Sequence, residues 1–156
     1  MTEGISSELY GKYDHKLDPK NRVAIPSEWR HSEECPLILL EATKQNFPVI
    51  KAFSPEYFRS WVKSIRRKAA AMSDVSMAAI DSFIGHMYAE CVSATISAQG
   101  KLLIPKKMCA RLGLSGEARL VGRGPYFEVW SPEAFIAAEE RELAALKCLN
   151  DEFGVF

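Results

Sequence analysis

The sequence lacks an excess of charge of either sign. Twenty Lys and Arg stand against twenty Asp and Glu, so the formal net charge is zero. That excludes a simple polybasic nucleic-acid binder, which carries a clear surplus of bases. Any contact with nucleic acid has to come from charge segregated along the chain. Long hydrophobic runs are missing too: stretches such as Pro36-Leu37-Ile38-Leu39-Leu40 are far shorter than a bilayer span, so no membrane segment is expected. The opening residues, Met1-Thr2-Glu3-Gly4-Ile5-Ser6-Ser7-Glu8, have neither the basic nor the apolar region of a secretory signal. Cysteine is sparse, and Cys35, Cys91, Cys109 and Cys148 lie far apart with no C-x-x-C pair. That argues against a disulfide framework and for reduced thiols in a cytoplasmic protein.

What is present is a repeat. The chain has 156 residues, 47% of them hydrophobic, enough for one core shared by one domain or two very small ones. Leu17-Asp18-Pro19-Lys20-Asn21-Arg22-Val23-Ala24-Ile25-Pro26 matches Ile96-Ser97-Ala98-Gln99-Gly100-Lys101-Leu102-Leu103-Ile104-Pro105. Both read as an apolar residue, four turn-like residues, a base, three apolar residues and Pro. A second block, Phe53-Ser54-Pro55-Glu56-Tyr57-Phe58, is followed in the same order by Trp130-Ser131-Pro132-Glu133-Ala134-Phe135. Two matched blocks in one order define a duplicated unit.

Each block has a physical reading. Asp18 and Pro19 suit the first two positions of a type I turn. Asn21 and Gly100 fall where a left-handed residue closes it. Both copies are therefore expected to form tight β-hairpins with Arg22 or Lys101 just past the turn, and the Ile-Pro step ends each outgoing strand. Ser54 and Ser131 suit helix N-caps, Pro55 and Pro132 the first helical position, and Glu56 and Glu133 the positive end of the dipole. In the first helix Tyr57, Phe58, Trp61, Val62 and Ile65 form an apolar face opposite Arg59, Lys63, Arg66 and Arg67. After a break near Ser73-Asp74, a second helix runs to about Ala89 with Ile80, Phe83, Ile84, Met87 and Tyr88 as its stripe. A third spans 131–150. Further strands are expected at 37–41, 48–53, 118–122 and 126–130. Each half thus reads hairpin, short turn or helix, hairpin, helix. Neither half can bury both sheet faces alone, so the halves should interleave into one closed or nearly closed barrel.

These residues resemble the MraZ family of transcriptional regulators of the bacterial division and cell wall gene cluster, within the AbrB/MazE/SpoVT-like superfamily. The resemblance rests on Asp18-x-x-x-Arg22-Val23-x-Ile25-Pro26 and its second copy, on Gly85-His86-x-x-x-Glu90-Cys91, and on Leu120-Val121-Gly122 through Phe127-Glu128-Val129-Trp130. It implies a mainly β fold with added α-helices, in which duplicated AbrB-like units form one double-split β-pseudo-barrel. The units would be residues 9–55 and 90–133, with connecting helices at 56–89 and a C-terminal helix at 134–156. It also implies a ring-shaped homo-oligomer, associated with the nucleoid, that represses its own operon through tandem short repeats in double-stranded promoter DNA. The implied recognition motif is Asp-x-x-x-Arg in each half. Asp18 and Arg22 match it, whereas Ser97 and Lys101 depart from it. Arg reads bases bidentately and Lys does not, so Arg22 is the expected base reader and Lys101 a phosphate contact or weakened reader.

The residues support DNA binding independently of the resemblance. From Cys91 to Gly116 there is no Asp or Glu, while Lys101, Lys106, Lys107 and Arg111 are present. The first hairpin adds Lys16, Lys20 and Arg22. A two-stranded ribbon fits the major groove. The plainer reading makes Arg22 an exposed strand residue paired with Asp18 across the turn. The basic run 63–68 is a solvated helix face, or meets DNA or the acidic Glu139-Glu140-x-Glu142 of a neighbouring subunit. His86, Glu90 and Cys91 are too few for a metal site, and His86 is expected to hydrogen-bond at the helix–barrel junction. Gly122-x-Gly124 is a turn, not a dinucleotide fingerprint. No nucleophile–base set has a supporting motif, so no enzyme activity, cofactor or small-molecule substrate is expected. The alternative function is an antitoxin-like or adaptor protein acting mainly through protein partners.

Overall fold

The computed structural model describes residues 4–156, so the reading of Met1, Thr2 and Glu3 lies outside the described residues. Strands β1 (Lys12–Lys16) and β2 (Arg22–Ala24) lead into a 3-10 turn (Ser27–Trp29), β3 (Cys35–Lys44), β4 (Phe47–Phe53), α1 (Pro55–Ala70) and α2 (Met77–Glu90). The second copy repeats the order with β5 (Val92–Ile96), β6 (Lys101–Leu103), α3 (Lys106–Leu112), β7 (Glu117–Gly122), β8 (Phe127–Trp130), α4 (Pro132–Ala145) and α5 (Lys147–Phe153). The fold is mainly β with added helices, a pseudo-barrel in which the two halves interleave as expected.

The interleaving goes further than two hairpins side by side. The turns at Asp18 and Ser97 close as expected, but the strands flanking each turn do not pair with one another. β1 leaves to pair with β7, β5 pairs with β3, and β2 pairs with β6. The six-stranded sheet runs β1-β7-β8-β4-β3-β5, an order that reads the same from either edge once the copies are exchanged. A pseudo-twofold axis therefore passes between Lys51 and Glu128 at the centre of the β4–β8 pair, and between Val23 and Leu102 at the centre of the β2–β6 ribbon.

Strand alternation divides the core. Leu37, Leu39, Ile50, Ala52, Phe127 and Val129 face the ribbon, packing with Val23, Ile25, Leu102 and Ile104 and with Trp29 and Met108 from the two short helical turns. The next residues along the strands, Leu40 and Phe53, face the other way, onto Phe58 and Val62 of α1 and Ile80 and Ile84 of α2. Val49, Val121 and Trp130 pack under Phe135 and Ala138 of α4. Each fully buried aliphatic or aromatic side chain contributes about 1.5–3 kcal/mol. Both sheet faces are thus covered, by the ribbon on one side and helices on the other.

The helix starts follow the sequence signals. Ser54 Oγ accepts from the backbone N–H of Tyr57, and Ser131 Oγ from that of Ala134. Three expectations need correction. The expected single C-terminal helix is broken at Leu146, whose backbone leaves the helical region before α5 begins. Phe83 and Tyr88 are exposed, since only Ile80 and Ile84 of the α2 stripe are buried. His86 is exposed on α2 instead of sitting at a helix–barrel junction. No described helix is long and apolar enough to cross a membrane.

Candidate nucleic-acid interface

The β2–β6 ribbon has a three-residue ladder: Arg22 opposite Leu103, Val23 opposite Leu102, Ala24 opposite Lys101. Val23 and Leu102 are buried, and alternation sends Arg22, Ala24, Lys101 and Leu103 to the outer face. Arg22 and Lys101 thus share one ribbon face, about 7 Å apart along the strand direction, instead of crowning two separate hairpins. The two turns lie at opposite ends of this ribbon.

Asp18 organises the first turn. Its backbone N–H donates to the Arg22 carbonyl at 2.9 Å, and its own carbonyl accepts from Asn21 at 2.9 Å. Carboxylate Oδ1 accepts the backbone N–H groups of Lys20 and Arg22, at 2.9 and 2.8 Å. Oδ2 accepts Arg22 Nε at 2.7 Å. The backbone N–H of Arg22 foremost, then its guanidinium and the backbone N–H of Lys20, hold the Asp18 carboxyl below the usual aspartate value. This is the ion pair of the plainer reading, yet it does more than neutralise. With Nε held, the planar guanidinium is fixed while its two terminal nitrogens remain for another acceptor. The Arg22 side chain stays 46% exposed. Asn21 has φ 62°, the left-handed conformation its position required.

The second turn is built alike but armed differently. Gly100 has φ 78°, its N–H donates to the Ser97 carbonyl at 2.8 Å, and Ser97 N–H donates to the Lys101 carbonyl at 2.8 Å. Ser97 Oγ accepts the backbone N–H of Lys101 at 3.2 Å. A hydroxyl can mimic the turn-closing half of the Asp18 carboxylate but offers no charge to fix the side chain beyond it. Lys101 is exposed and has no ion pair among the described residues.

The other expected contacts surround the ribbon unevenly. Lys20 is exposed within the first turn, and Lys106 is exposed at the start of α3, directly after the ribbon-ending Pro105. Lys16 is exposed at the end of β1, opposite Glu117 in the large sheet. Of the bases in the acid-free stretch, Arg111 is drawn to Glu41 at 3.2 Å, whereas Lys106 and Lys107 have no ion pair among the described residues. Leu103, 54% exposed on the same face as Arg22, was not singled out from the sequence. Strict alternation from the buried Leu102 was the signal that could have found it, and a thymine methyl is the apolar group such a side chain would meet in a groove.

Some of the charge elsewhere is paired within the chain. Glu139 pairs with Lys12 at 3.1 Å, Glu142 lies 3.9 Å from Lys44, and Arg66 of the basic helix face pairs with Asp81 at 2.7 Å. Lys63, Arg67 and Lys68 of that face have no ion pair among the described residues. Glu128 is fully buried: Arg123 Nε and Trp130 Nε1 donate to Oε1 at 2.8 and 2.9 Å, and Lys44 Nζ to Oε2 at 3.2 Å. Burial alone would raise its pKa, but those donors outweigh it and leave it lowered. The Cys91 thiol donates to the Met87 carbonyl at 3.0 Å, and burial pushes it up, away from nucleophilic reactivity. No group of three or more metal-ligating side chains occurs among the described residues.

No protein-family model matches the chain. It is similar over most of its length to proteins named transcriptional regulator MraZ. With the one from Ruegeria sp. (strain TM1040) it shares 26% identity over 154 residues, covering 91% of this chain and 86% of that protein. With the one from Thermomicrobium roseum identity is 28% over 130 residues, covering 83% and 86%. With the one from Acetivibrio thermocellus it is 29% over 122 residues, covering 78% and 80%. The resemblance carried by the two turns therefore extends across both copies and the helices between them.

Proposed function

We propose that this chain is a sequence-specific DNA-binding transcription regulator that represses its own division and cell wall operon. The observation that carries the reading is the Asp18–Arg22 pair on an exposed two-stranded ribbon. A guanidinium with Nε immobilised and its terminal nitrogens outward is prepared for bidentate contact with a guanine edge. Lys101, Lys20, Lys16 and Lys106 supply phosphate contacts around it. The names of the relatives support a regulatory role. The acting form would be a cytoplasmic, nucleoid-associated protein with no cofactor.

One ribbon offers one guanidinium and one ammonium to the bases, too little for tight binding. A homo-oligomeric ring presenting several ribbons to tandem repeats gains through effective concentration. Exposed Leu149 and Phe153 beyond the α4–α5 break are apolar surface suited to self-association.

The test is a footprint and salt titration on the duplex upstream of the chain's own gene, with wild type and Arg22→Ala. Wild type should protect tandem repeats and lose affinity steeply with salt. Arg22→Ala should abolish the specific footprint while leaving the oligomer intact by light scattering. An unchanged footprint in the variant sinks the assignment of Arg22. A wild type with no preference over random DNA favours the adaptor function.

A further inference from the structure

Arg30 follows the 3-10 turn of the first copy, yet its guanidinium lies against Gly100 in the second copy's turn. A Cβ built on Gly100 would stand 2.7 Å from Arg30 Cζ, 2.8 Å from Nη2 and 3.0 Å from Nη1. The guanidinium plane therefore occupies the space a side chain at residue 100 would fill, although the far end of so flexible a side chain could swing aside and φ remains the reason for glycine there. Arg30 Nε is buried with no hydrogen-bond partner. Arg22, Arg66, Arg111, Arg119 and Arg123 each have a carboxylate within reach. Arg30 has none among the described residues, although it is only partly exposed.

An arginine stays protonated in any protein environment, and a half-buried cation without a counter-charge is costly to keep. Its position beside the turn that has Lys101 where the other has arginine gives it a use. The first turn carries Arg22, and the second carries only Lys101. Cys109, the repeat equivalent of Arg30, is buried and uncharged, so the first turn receives no such group in return. We infer that Arg30 is a phosphate-contacting residue of the DNA interface, a guanidinium supplied to the second turn by the first copy. It sits over turn backbone, not at an outward ribbon position, and its Nε is walled in. The edge bearing Nη1 and Nη2 remains, and that edge pairs bidentately with a phosphate. The inference rests on the DNA-binding reading above.

The experiment measures affinity against salt for wild type, Arg30→Gln and Arg30→Lys on two probes: the duplex upstream of the gene and a random duplex of equal length. Arg30→Gln should weaken binding to both probes alike, and lower the slope of log affinity against log salt by about 0.9 for each subunit engaged. Arg30→Lys should restore the slope, since it restores the charge. Weakening on the upstream duplex alone would make Arg30 a base reader and overturn the phosphate assignment. A lowered melting temperature with the slope unchanged, in Gln and Lys variants alike, would make it a structural cation and overturn it too. Wild type that binds neither probe overturns both readings, whereas Arg22-dependent binding that Arg30→Gln leaves untouched overturns this one alone.

Discussion

The backbone N–H of Ile104 donates to the carbonyl of Asn21 at 2.9 Å, so the residue before one copy's terminating proline closes on the turn of the other. Its repeat equivalent, Ile25, donates to Gly100 at the same distance. Each left-handed turn residue is therefore held from outside its own hairpin, and the conformation of one copy's turn is a property of both.

The two turn residues should respond oppositely to substitution. Gly100→Ala places a Cβ on a left-handed residue and should destabilise the fold by about 1–3 kcal/mol. Asn21→Gly asks for a conformation glycine adopts freely and should change stability by less than about 0.5 kcal/mol. Urea midpoints at constant m-value measure both. Equal losses would show that φ at these positions is not what the sequence selects.

Asp18 separates turn closure from guanidinium orientation. Asp18→Asn keeps an oxygen for the backbone N–H groups of Lys20 and Arg22 but removes the charge that holds Arg22 Nε. It should lower stability slightly, by the contribution of the ionised carboxyl, and reduce the ratio of operator to random-duplex affinity roughly tenfold. The pH dependence has a fixed sign. Because the folded carboxyl titrates below its unfolded value, its contribution is complete above the usual aspartate range and is lost as pH falls through the lower folded value. The Arg22 Nε–H resonance should follow that acid titration, and in Asp18→Asn it should not move.

Glu128 sits on the pseudo-twofold axis opposite its own repeat equivalent, Lys51. Like charges directly opposed in a sheet repel; here the two copies have diverged to opposite signs. Lys51 is held above the rings of Trp61 and Tyr126, and burial pushes its ammonium down from the usual lysine value. Glu128→Gln would leave Arg123 and Lys44 without their shared acid and should destabilise the chain by about 3 kcal/mol. The folded pKa of Glu128 is lowered, so its stabilisation is present above the ordinary glutamate value and fades as pH falls through the lower one. The wild-type melting temperature should therefore converge on that of the variant in acid.

The two serine caps give a control on the repeat. Ser54→Ala and Ser131→Ala should each lower stability by about 1 kcal/mol. They start helices packed on separate clusters, so the double variant should show their sum. A marked excess over additivity in thermal unfolding would reveal coupling through the sheet.

What could be read from residues alone was local. Asn21 and Gly100 announced their turns because few residues tolerate positive φ, and Ser-Pro-Glu announced α1 and α4 because caps and the dipole act within one turn. Pairing between strands was not local. Val23 meets Leu102 across the chain, and the turn signals fit a self-paired hairpin equally well. The stop at Leu146 has no Gly or Pro to mark it, and α5 buries no residue that a periodicity could have flagged. Arg30 escaped notice because its importance lies in facing a missing Cβ in the other copy, which neither residue's neighbours in sequence reveal.

The β2–β6 ladder also sets when the molecule can act. Arg22 leaves the ribosome long before Leu103 has been made, and until then it has no partner strand. Pairings this distant in the chain form late and slowly. A nascent or truncated chain ending before β6 thus exposes Arg22 on an unpaired segment, without the rigid ribbon that aims it. The surface assigned to DNA therefore needs a chain that extends through Leu103, because half of the ribbon is supplied by the second copy.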